Sequence, residues 1–280
     1  MNNSLLDSFL LNDQNPTFEI LADAFDDIEF DGYSLQNSSI ISQEIVVYSP
    51  PSRELITYKV PRNDGGRLNG NYYRERRIKV KGIIQAASRV LLEQAMDTFK
   101  RRMHTPEGNL DLKVNGEIRR IPATLQNSGE MFAERKGFHI TFTPFQLEFL
   151  ALDPFFHDMD YTASTSENIT SLNFGITVEN LGTIHARPVI TVIFEAATSV
   201  TAMQFNNITN GGVMNITRSF VAGDILVIDA EESTVTVNGS QVDYDGLFPR
   251  LDYGSNNCSI VTTGSAVQFT STISFKRSYL

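Results

Sequence analysis

The chain has 280 residues, of which 41% are hydrophobic, and a formal net charge of −10. This length suits two domains, and the apolar content excludes a globally disordered chain. The single cysteine excludes an internal disulfide. The first residues contain no basic stretch, and no apolar run approaches the roughly 18 residues that span a bilayer, so we expect neither a secretory signal nor a membrane partner.

The charges are spread unevenly along the chain. Residues 1–31 carry eight acids and no base, residues 53–102 carry thirteen bases against five acids, and residues 153–280 carry thirteen acids against five bases. An acidic chain is a poor general nucleic-acid binder. We therefore interpret the basic stretch as a solvated face or a face that meets an acidic neighbour, with direct DNA contact as the alternative.

Residues 1–29 are expected to form an acidic N-terminal arm. Apolar residues at helical spacing favour two short amphipathic pieces joined at Asn15-Pro16. Two interpretations stay open, an arm that docks on the basic surface of a neighbouring subunit and a frayed or locally folded terminus.

Residues 30–157 are expected to form a β-rich first domain. Strands are predicted over residues 40–48 and 55–60, and a turn over residues 63–66. A strand over residues 72–84 has alternating character, with Ile78, Val80 and Ile83 on an apolar face and Arg77, Lys79 and Lys81 on a basic one. Because one of its faces is charged, we expect this strand at a sheet edge or an interface.

A helix is predicted over residues 89–103, with Ser88 as its N-cap. Its apolar stripe is typical of core packing and contains Leu92, Ala95, Met96, Phe99 and Met103. Two alternating runs flank Asn115-Gly116, which predicts a β-hairpin. An aromatic-rich strand is predicted over residues 138–149.

Residues 158–170 are polar and are expected to form a linker to a second, all-β domain over residues 171–280. Strands are predicted at residues 175–180, 189–195, 203–205, 213–217, 225–229, 234–237, 259–261 and 267–276. Short strands separated by glycine turns are typical of a sandwich or jelly roll, so the expected fold class is mainly β (β-rich α+β). In the loop over residues 246–257, Pro249 blocks strand pairing, and Phe248 and Leu251 are expected to point into the core.

The sequence contains no motif that indicates catalysis. Phosphate loops, HExxH, CxxC and Gly-x-Ser-x-Gly are absent, and the four histidines are scattered. His157 with Asp158 and Asp160 lacks ligands from a second element, which is weak support for a metal site. We therefore expect no enzyme activity, no cofactor and no metal.

Several stretches together resemble one family. These are "RIKVKGII" at residues 77–84, "PEGNLDLKVNGEIRRIPATL" at 106–125, "VENLGTIHARPVITV" at 178–192, and "VNGS" followed by "GLFPRLDYGSNNCSI" up to residue 260. Their order and spacing are similar to those of the distal tail proteins (Dit family) of long-tailed bacteriophages. Residues before about 30 depart from the family pattern, which usually starts near the "FDGY" at residues 30–33.

The resemblance implies a structural virion protein at the distal end of the phage tail, assembled in the host cytoplasm. It implies a first domain, a β-sandwich or split barrel with one helix, that closes into a ring of six, and a galectin-like sandwich on the outside. The ring would join the tail tube to tail-tip or baseplate hub proteins, with a receptor-binding protein as a further partner and DNA only as cargo passing through the lumen.

Two groups of residues follow as candidate sites. The ring interface is expected at basic and turn residues: Arg74, Arg76, Arg77, Lys79, Lys81, Asn115 and Gly116. The loop that carries the resemblance is defined by Leu247, Phe248, Pro249, Leu251, Gly254 and Asn256.

Three alternatives belong to other classes. A sugar-binding module would use Tyr244, Phe248 or Tyr253 as stacking platforms for host-surface sugar, and we favour a core or contact role for them. A cell-wall hydrolase would need a carboxylate pair, which any acidic β-domain offers by chance. A tail tube protein would resemble the first domain, and the additional sandwich favours the distal hub.

Overall fold

The computed structural model describes residues 27–47, 50–61, 64–105, 107–114, 116–126, 132, 141–195 and 199–280. Residues 1–26 of the expected N-terminal arm lie outside them. The described residues form strands and one helix around two hydrophobic cores. The prediction of a mainly β protein is confirmed.

The first core is built mainly from residues 28–156. In chain order the elements of this part of the chain are β1 (Asp27–Phe30), β2 (Tyr33–Ser34), β3 (Ile40–Val46), β4 (Arg53–Lys59), β5 (Gly66–Tyr73), β6 (Arg76–Gln85), α1 (Arg89–Arg102), β7 (Glu107–Val114), β8 (Glu117–Leu125), β9 (Phe142–Ala151) and β10 (Phe156–Asp158). Seven of the strands form the main path of a nine-stranded antiparallel sheet, in the order β2-β1-β7-β8-β9-β6-β3, and β10 and the last strand of the chain complete it. Strands β4 and β5 form a separate two-stranded sheet.

The seven-stranded path has to curl. Its end strands, β2 and β3, are consecutive in the chain, and the connection from Ser34 to Ile40 can span at most about 21 Å. A flat sheet would separate the same two strands by about 29 Å. The Ser42 hydroxyl donates to the Leu35 carbonyl at 2.7 Å, which ties β3 to the connection. The sheet is therefore rolled toward a split barrel around Leu35 and Phe30, which are both buried.

Helix α1 covers this sheet through a narrow apolar stripe. The Ser88 hydroxyl caps it by accepting from the Leu91 amide at 3.4 Å. Leu92 and Phe99 are fully buried, and the Phe99 ring lies 4.9 Å from that of Phe145 in β9. The predicted helix and its packing face are confirmed.

The strand predicted over residues 72–84 is two strands in different sheets. Strand β5 pairs with β4, and the chain changes sheets at Arg74 and Glu75 before β6 pairs with both β9 and β3. The expectation of an edge strand is wrong for β6, because a charged face needs solvent only on one side of an antiparallel sheet. Its buried face ends with Ile84, whereas Ile83 lies on the half-buried side with the lysines.

The second core lies between two sheets. The remaining strands are β11 (Thr162–Ile169), β12 (Asn173–Asn180), β13 (Val189–Phe194), β14 (Ser199–Asn207), β15 (Gly212–Phe220), β16 (Ile225–Asp229), β17 (Thr234–Val237), β18 (Ser240–Gln241), β19 (Asp245–Gly246), β20 (Gly254–Ala266), β21 (Phe269–Phe275) and β22 (Ser278–Tyr279). The six-stranded sheet has the order β11-β21-β13-β16-β17-β18, and the five-stranded sheet β12-β20-β14-β15-β19. The predicted sandwich is thus present.

Three segments differ from the predicted boundaries. Residues 27–29, expected in the N-terminal arm, form part of β1 and pair with β7. The expected linker contains β11, which pairs along β21 at the edge of the six-stranded sheet. Its Ser/Thr-rich sequence suits an edge strand, because threonine favours extended backbone and its hydroxyl tolerates solvent. The final strand, β22, joins the first sheet through β10 and not the sandwich.

Candidate interaction surfaces

The β4–β5 ribbon, residues 53–73, is the most exposed regular structure in the described chain. Every described position of β4 is exposed, and β5 is half-buried at two positions only. Its exposed large side chains include Leu55 at 60%, Leu68 at 58% and Tyr72 at 62% exposure. An isolated two-stranded ribbon is marginally stable in water, so such a ribbon gains from being covered by another surface.

Both faces of the ribbon carry apolar side chains. Residues opposite each other in an antiparallel pair share a face, as do residues two apart in one strand. Leu55 lies opposite Asn71, and Thr57 lies opposite Leu68, so Leu55 and Leu68 are on the same face. The other face contains Ile56, Tyr58 and the ring of Tyr72, which lies over Gly70. A ribbon that is apolar on both faces is suited to insertion between two surfaces.

The basic face of β6 is matched by acids of the same chain. The Lys81 ammonium lies 2.9 Å from the Glu44 carboxylate of β3, and Arg77 and Lys79 lie 3.6 and 3.8 Å from that of Glu148 in β9. These pairs lie at the surface, with Glu148 the least exposed partner at 26%, and surface pairs contribute about 0–1 kcal/mol each. The face is therefore a ladder of alternating charges across three strands and not a uniformly basic surface.

Arg76 does not belong to this exposed face. It is 3% exposed, and its guanidinium lies over the Phe156 ring, 5.1 Å from the centroid. The parity of β6 places it with Ile78 and Val80 on the inner side. Burial lowers the pKa of the Arg76 guanidinium below its usual value. The expectation of Arg76 at an exposed ring interface is therefore corrected, whereas Arg74 is exposed and pairs with Glu54 of the ribbon at 3.3 Å.

Replacing Arg76 by alanine is expected to lower the free energy of unfolding by about 2 kcal/mol. The substitution removes a buried side chain from the Phe156 ring, and the loss is partly offset because a desolvated charge also disappears. Arg77→Ala, one residue away on the exposed face, should change it by less than about 0.5 kcal/mol. Calorimetric unfolding of the two variants compares them, and equal losses would contradict the assignment.

The hairpin between β7 and β8 is present, with Val114 opposite Glu117. Asn115 lies outside the described residues. Gly116 is exposed and has a φ of 83°, a left-handed conformation that glycine adopts without strain. At the far end of the same hairpin, Lys100, Arg101 and Arg102 form the basic last turn of α1.

Three buried asparagines hold the loop over residues 246–257. The Asn256 amide accepts from the Asp252 amide at 2.8 Å and from Asn207 at 3.0 Å, and it donates to the carbonyls of Asp252 and Gly254. Asn207 also donates to the Arg250 carbonyl at 2.7 Å. Asn180 donates to the Leu251 carbonyl at 3.1 Å. The loop is thus fixed by side-chain amides that form hydrogen bonds with its backbone amides and carbonyls.

The loop residues divide into buried anchors and exposed positions. Leu251, Pro249 and Asn256 are buried, and Phe248 packs against the sandwich core. Gly254 has a φ of 86°. Leu247 and Tyr253 are exposed at 72% and 71%. Sequence reasoning missed Asn180 and Asn207, although the "VENLG" and "FNN" strand ends that contain them were visible.

The aromatics proposed for sugar stacking differ in their surroundings. Phe248 is partly buried, and its ring lies 4.9 Å from that of Tyr244 in an edge-on contact. Tyr253 lies in the solvent-exposed part of the loop. Sugar binding stays a prediction.

The described residues contain no group of three or more His, Cys, Asp or Glu side chains arranged to hold a metal. In the same part of the chain, no helix has the length and hydropathy of a membrane span. Cys258 is buried in the sandwich, and burial raises the pKa of its thiol to about 11. This thiol is therefore protonated and unreactive near neutral pH.

Comparison with known protein families gives a match for the sandwich. The sequence model for the C-terminal domain of siphovirus-type tail components (SPP1_Dit) matches residues 181–279. This range starts after Asn180 and includes the buried asparagines at 207 and 256. A search of curated proteins gives no significant match.

The structure of one phage protein extends the similarity in fold over both halves of the chain. The crystal structure of the phage SPP1 Dit protein (gp 19.1), described as a paradigm of the hub adsorption apparatus in phages that infect Gram-positive bacteria, aligns with a TM-score of 0.65 and 17% identity. The alignment covers 91% of this chain and 99% of the SPP1 chain. The baseplate of phage p2 in its activated conformation with Sr aligns with a TM-score of 0.43 and 9% identity, over 90% of this chain and 97% of the other.

The two comparisons agree with each other. The sandwich matches the sequence model of the siphovirus-type tail components, and the described chain, with its rolled sheet followed by the sandwich, has the fold of the SPP1 protein. The chain is thus similar to phage tail components of the Dit (distal tail protein) type.

Proposed function

We propose that six copies of this chain close into a ring at the distal end of a phage tail. The ring joins the tail tube to tail-tip or baseplate hub proteins, and receptor-binding proteins attach beyond it. The copies assemble in the host cytoplasm, and DNA passes through the lumen without base-specific contacts. Six copies are what the resemblance to distal tail proteins implies.

The β4–β5 ribbon is the observation that carries this proposal. It extends from the first domain with apolar side chains on both faces, and within the described residues β4 and β5 pair only with each other. A neighbouring copy that covers the ribbon removes this apolar surface from water. Because the ribbon differs from the surface that would receive it, the contact is heterologous, and a heterologous contact that closes by rotation forms a ring.

The charged ladder on β6 has a lesser role in this proposal. Its ion pairs are satisfied within the chain, so a neighbour would have to displace Glu44 or Glu148 to use the lysines. We therefore assign ring closure to the ribbon and not to Arg77, Lys79 and Lys81. Arg74, which pairs with Glu54 of β4, lies at the base of the ribbon and orients it.

Replacing Leu55 and Leu68 together by serine is expected to convert the ring into single chains. A ring of six has a mass of about 188 kDa, six times the 31.3 kDa of one chain, and a monomer has one sixth of it. Loss of central apolar anchors typically costs about 2 kcal/mol or more per interface. Light scattering measures the mass, and calorimetry should show that the variant still folds, because both side chains are exposed in the single chain.

Leu172→Ser is the matched control, since Leu172 is an exposed leucine of the sandwich. It should leave the mass unchanged. If the serine pair on the ribbon left the mass at that of the wild type, the ribbon would not be the ring contact. A wild-type mass of one chain at all concentrations would count against self-assembly itself.

A further inference from the structure

The last residues of the chain leave the sandwich and enter the first domain. Phe275, at the end of β21, is buried in the sandwich core, whereas Tyr279 is buried in the first core. Strand β22 pairs with β10, with Tyr279 opposite Phe156 and Ser278 opposite His157. Strand β10 pairs in turn with β8. The sandwich therefore donates its final strand to the sheet of the first domain, as in strand addition between separate proteins.

Side chains fix this strand on its first-domain side. The Tyr279 hydroxyl donates to the buried Asp158 carboxylate at 3.1 Å, and the Arg119 guanidinium lies over the Tyr279 ring, 4.0 Å from its centroid. Arg277 pairs with Asp158 and, at 3.3 Å, with Glu117. Burial and the neighbouring Asp158 charge raise the pKa of Tyr279 to about 12, so the hydroxyl stays a donor throughout the neutral range.

The connection between β12 and β13 holds the same strand from the sandwich side. The Thr183 amide donates to the Ser278 carbonyl at 2.9 Å, and the Leu280 amide donates to the Thr183 hydroxyl at 2.7 Å. A Cβ on Gly182 would lie 2.5 Å from the Ser278 carbonyl oxygen, so only glycine permits this approach. Strand β22 is thus enclosed between the two domains.

We propose that residues 277–280 form a clasp that fixes the orientation of the sandwich on the first domain. The direct connection between the two is short, since β10 ends at Asp158 and β11 begins at Thr162. Three residues alone permit rotation about their backbone bonds, and the clasp adds a second attachment that removes this freedom. Opening the clasp releases the sandwich while both cores stay folded, which gives a tail component a defined point at which its outer domain can change position.

The test is hydrogen exchange on the full chain with Tyr279→Ala. We expect exchange in β10 and in residues 182–184 to accelerate by about 30-fold, because the buried ring and its hydrogen bond hold these segments closed. Strands β13 and β16 of the sandwich and β6 and β9 of the first sheet should keep their wild-type protection. Tyr253→Ala, the same substitution at an exposed position, is the control and should change none of these rates.

A second variant reaches the clasp without altering residues 277–280. Gly182→Ala places a methyl group against the Ser278 backbone and should produce the same local acceleration. The proposal is overturned if both variants exchange as the wild type does in β10. It is also overturned if both variants lose protection across the two cores together, because residues 277–280 would then be part of a single folding unit.

Discussion

Asn256→Ala is expected to lower the free energy of unfolding of the sandwich by about 3 kcal/mol. The Asn256 side chain is fully buried, and its amide makes four hydrogen bonds, two as acceptor and two as donor. Leaving a buried polar group without its partner costs about 1–3 kcal/mol. Alanine at this position would leave several polar groups of the loop and of Asn207 without partners at once.

Cys258 provides the measurement, because it is the single cysteine and is buried close to the loop. Labelling of the native protein by a thiol reagent requires the sandwich to open, so a loss of about 3 kcal/mol should accelerate labelling by about 100-fold. Asn257→Ala is the matched control, since Asn257 is the adjacent, exposed asparagine. Equal acceleration in both variants would show that the buried amide does not hold the loop.

Gly82→Ala is expected to destabilise the first domain by about 3 kcal/mol. A Cβ at this position would lie 2.3 Å from the Ile41 carbonyl oxygen and 2.8 Å from the Phe145 ring. Overpacking usually costs about 1–3 kcal/mol, and the upper end applies because a backbone carbonyl of the paired strand cannot turn away. The glycine thus permits β3 and the Phe145 ring to approach β6 in the rolled sheet.

Gly175→Ala in β12 is the control for this substitution. Its Cβ would meet the nearest atom at 3.9 Å, an ordinary contact, and alanine generally suits a strand better than glycine. Calorimetry should show a lower unfolding temperature for Gly82→Ala and no decrease for Gly175→Ala. An unchanged transition in Gly82→Ala would mean that β3 and β6 separate easily, against the register observed here.

Local signals predicted the elements that depend on neighbouring residues. The helix followed from its Ser88 cap and 3.6-residue apolar period, and the β7–β8 hairpin followed from its Asn-Gly turn. The sandwich strands followed from alternation between glycine turns. These signals act over a few residues and do not depend on what the strand pairs with.

Features set by distant partners could not be predicted in this way. The alternation of apolar and basic residues in β6 predicted a basic face. It could not show that Glu44 and Glu148, from two other strands, pair with that face. The position of Arg76 depends on where β5 ends and β6 begins, a change of sheet with no glycine or proline to mark it. Likewise, the burial of Tyr279 depends on β10, which is over a hundred residues earlier in the chain.

Within the ribbon, the sequence predicted β4 and only the last two residues of β5 as strand, and it did not predict an exposed surface. Its hydrophobic residues would normally indicate a buried face, and only the absence of covering elements among the described residues shows that they are exposed. Similar reasoning applies to the asparagines at 180, 207 and 256. Their residue type indicates turns, whereas their role as buried anchors follows from the loops that converge on them.

Electron microscopy of the purified wild-type chain tests the central claim most directly. We predict closed, six-fold symmetric rings with a central opening, in which the ribbon of each copy lies against the next copy. Particles that are single chains, two-fold dimers or open filaments would contradict it, because each requires the ribbon to stay exposed or to make a contact that does not close.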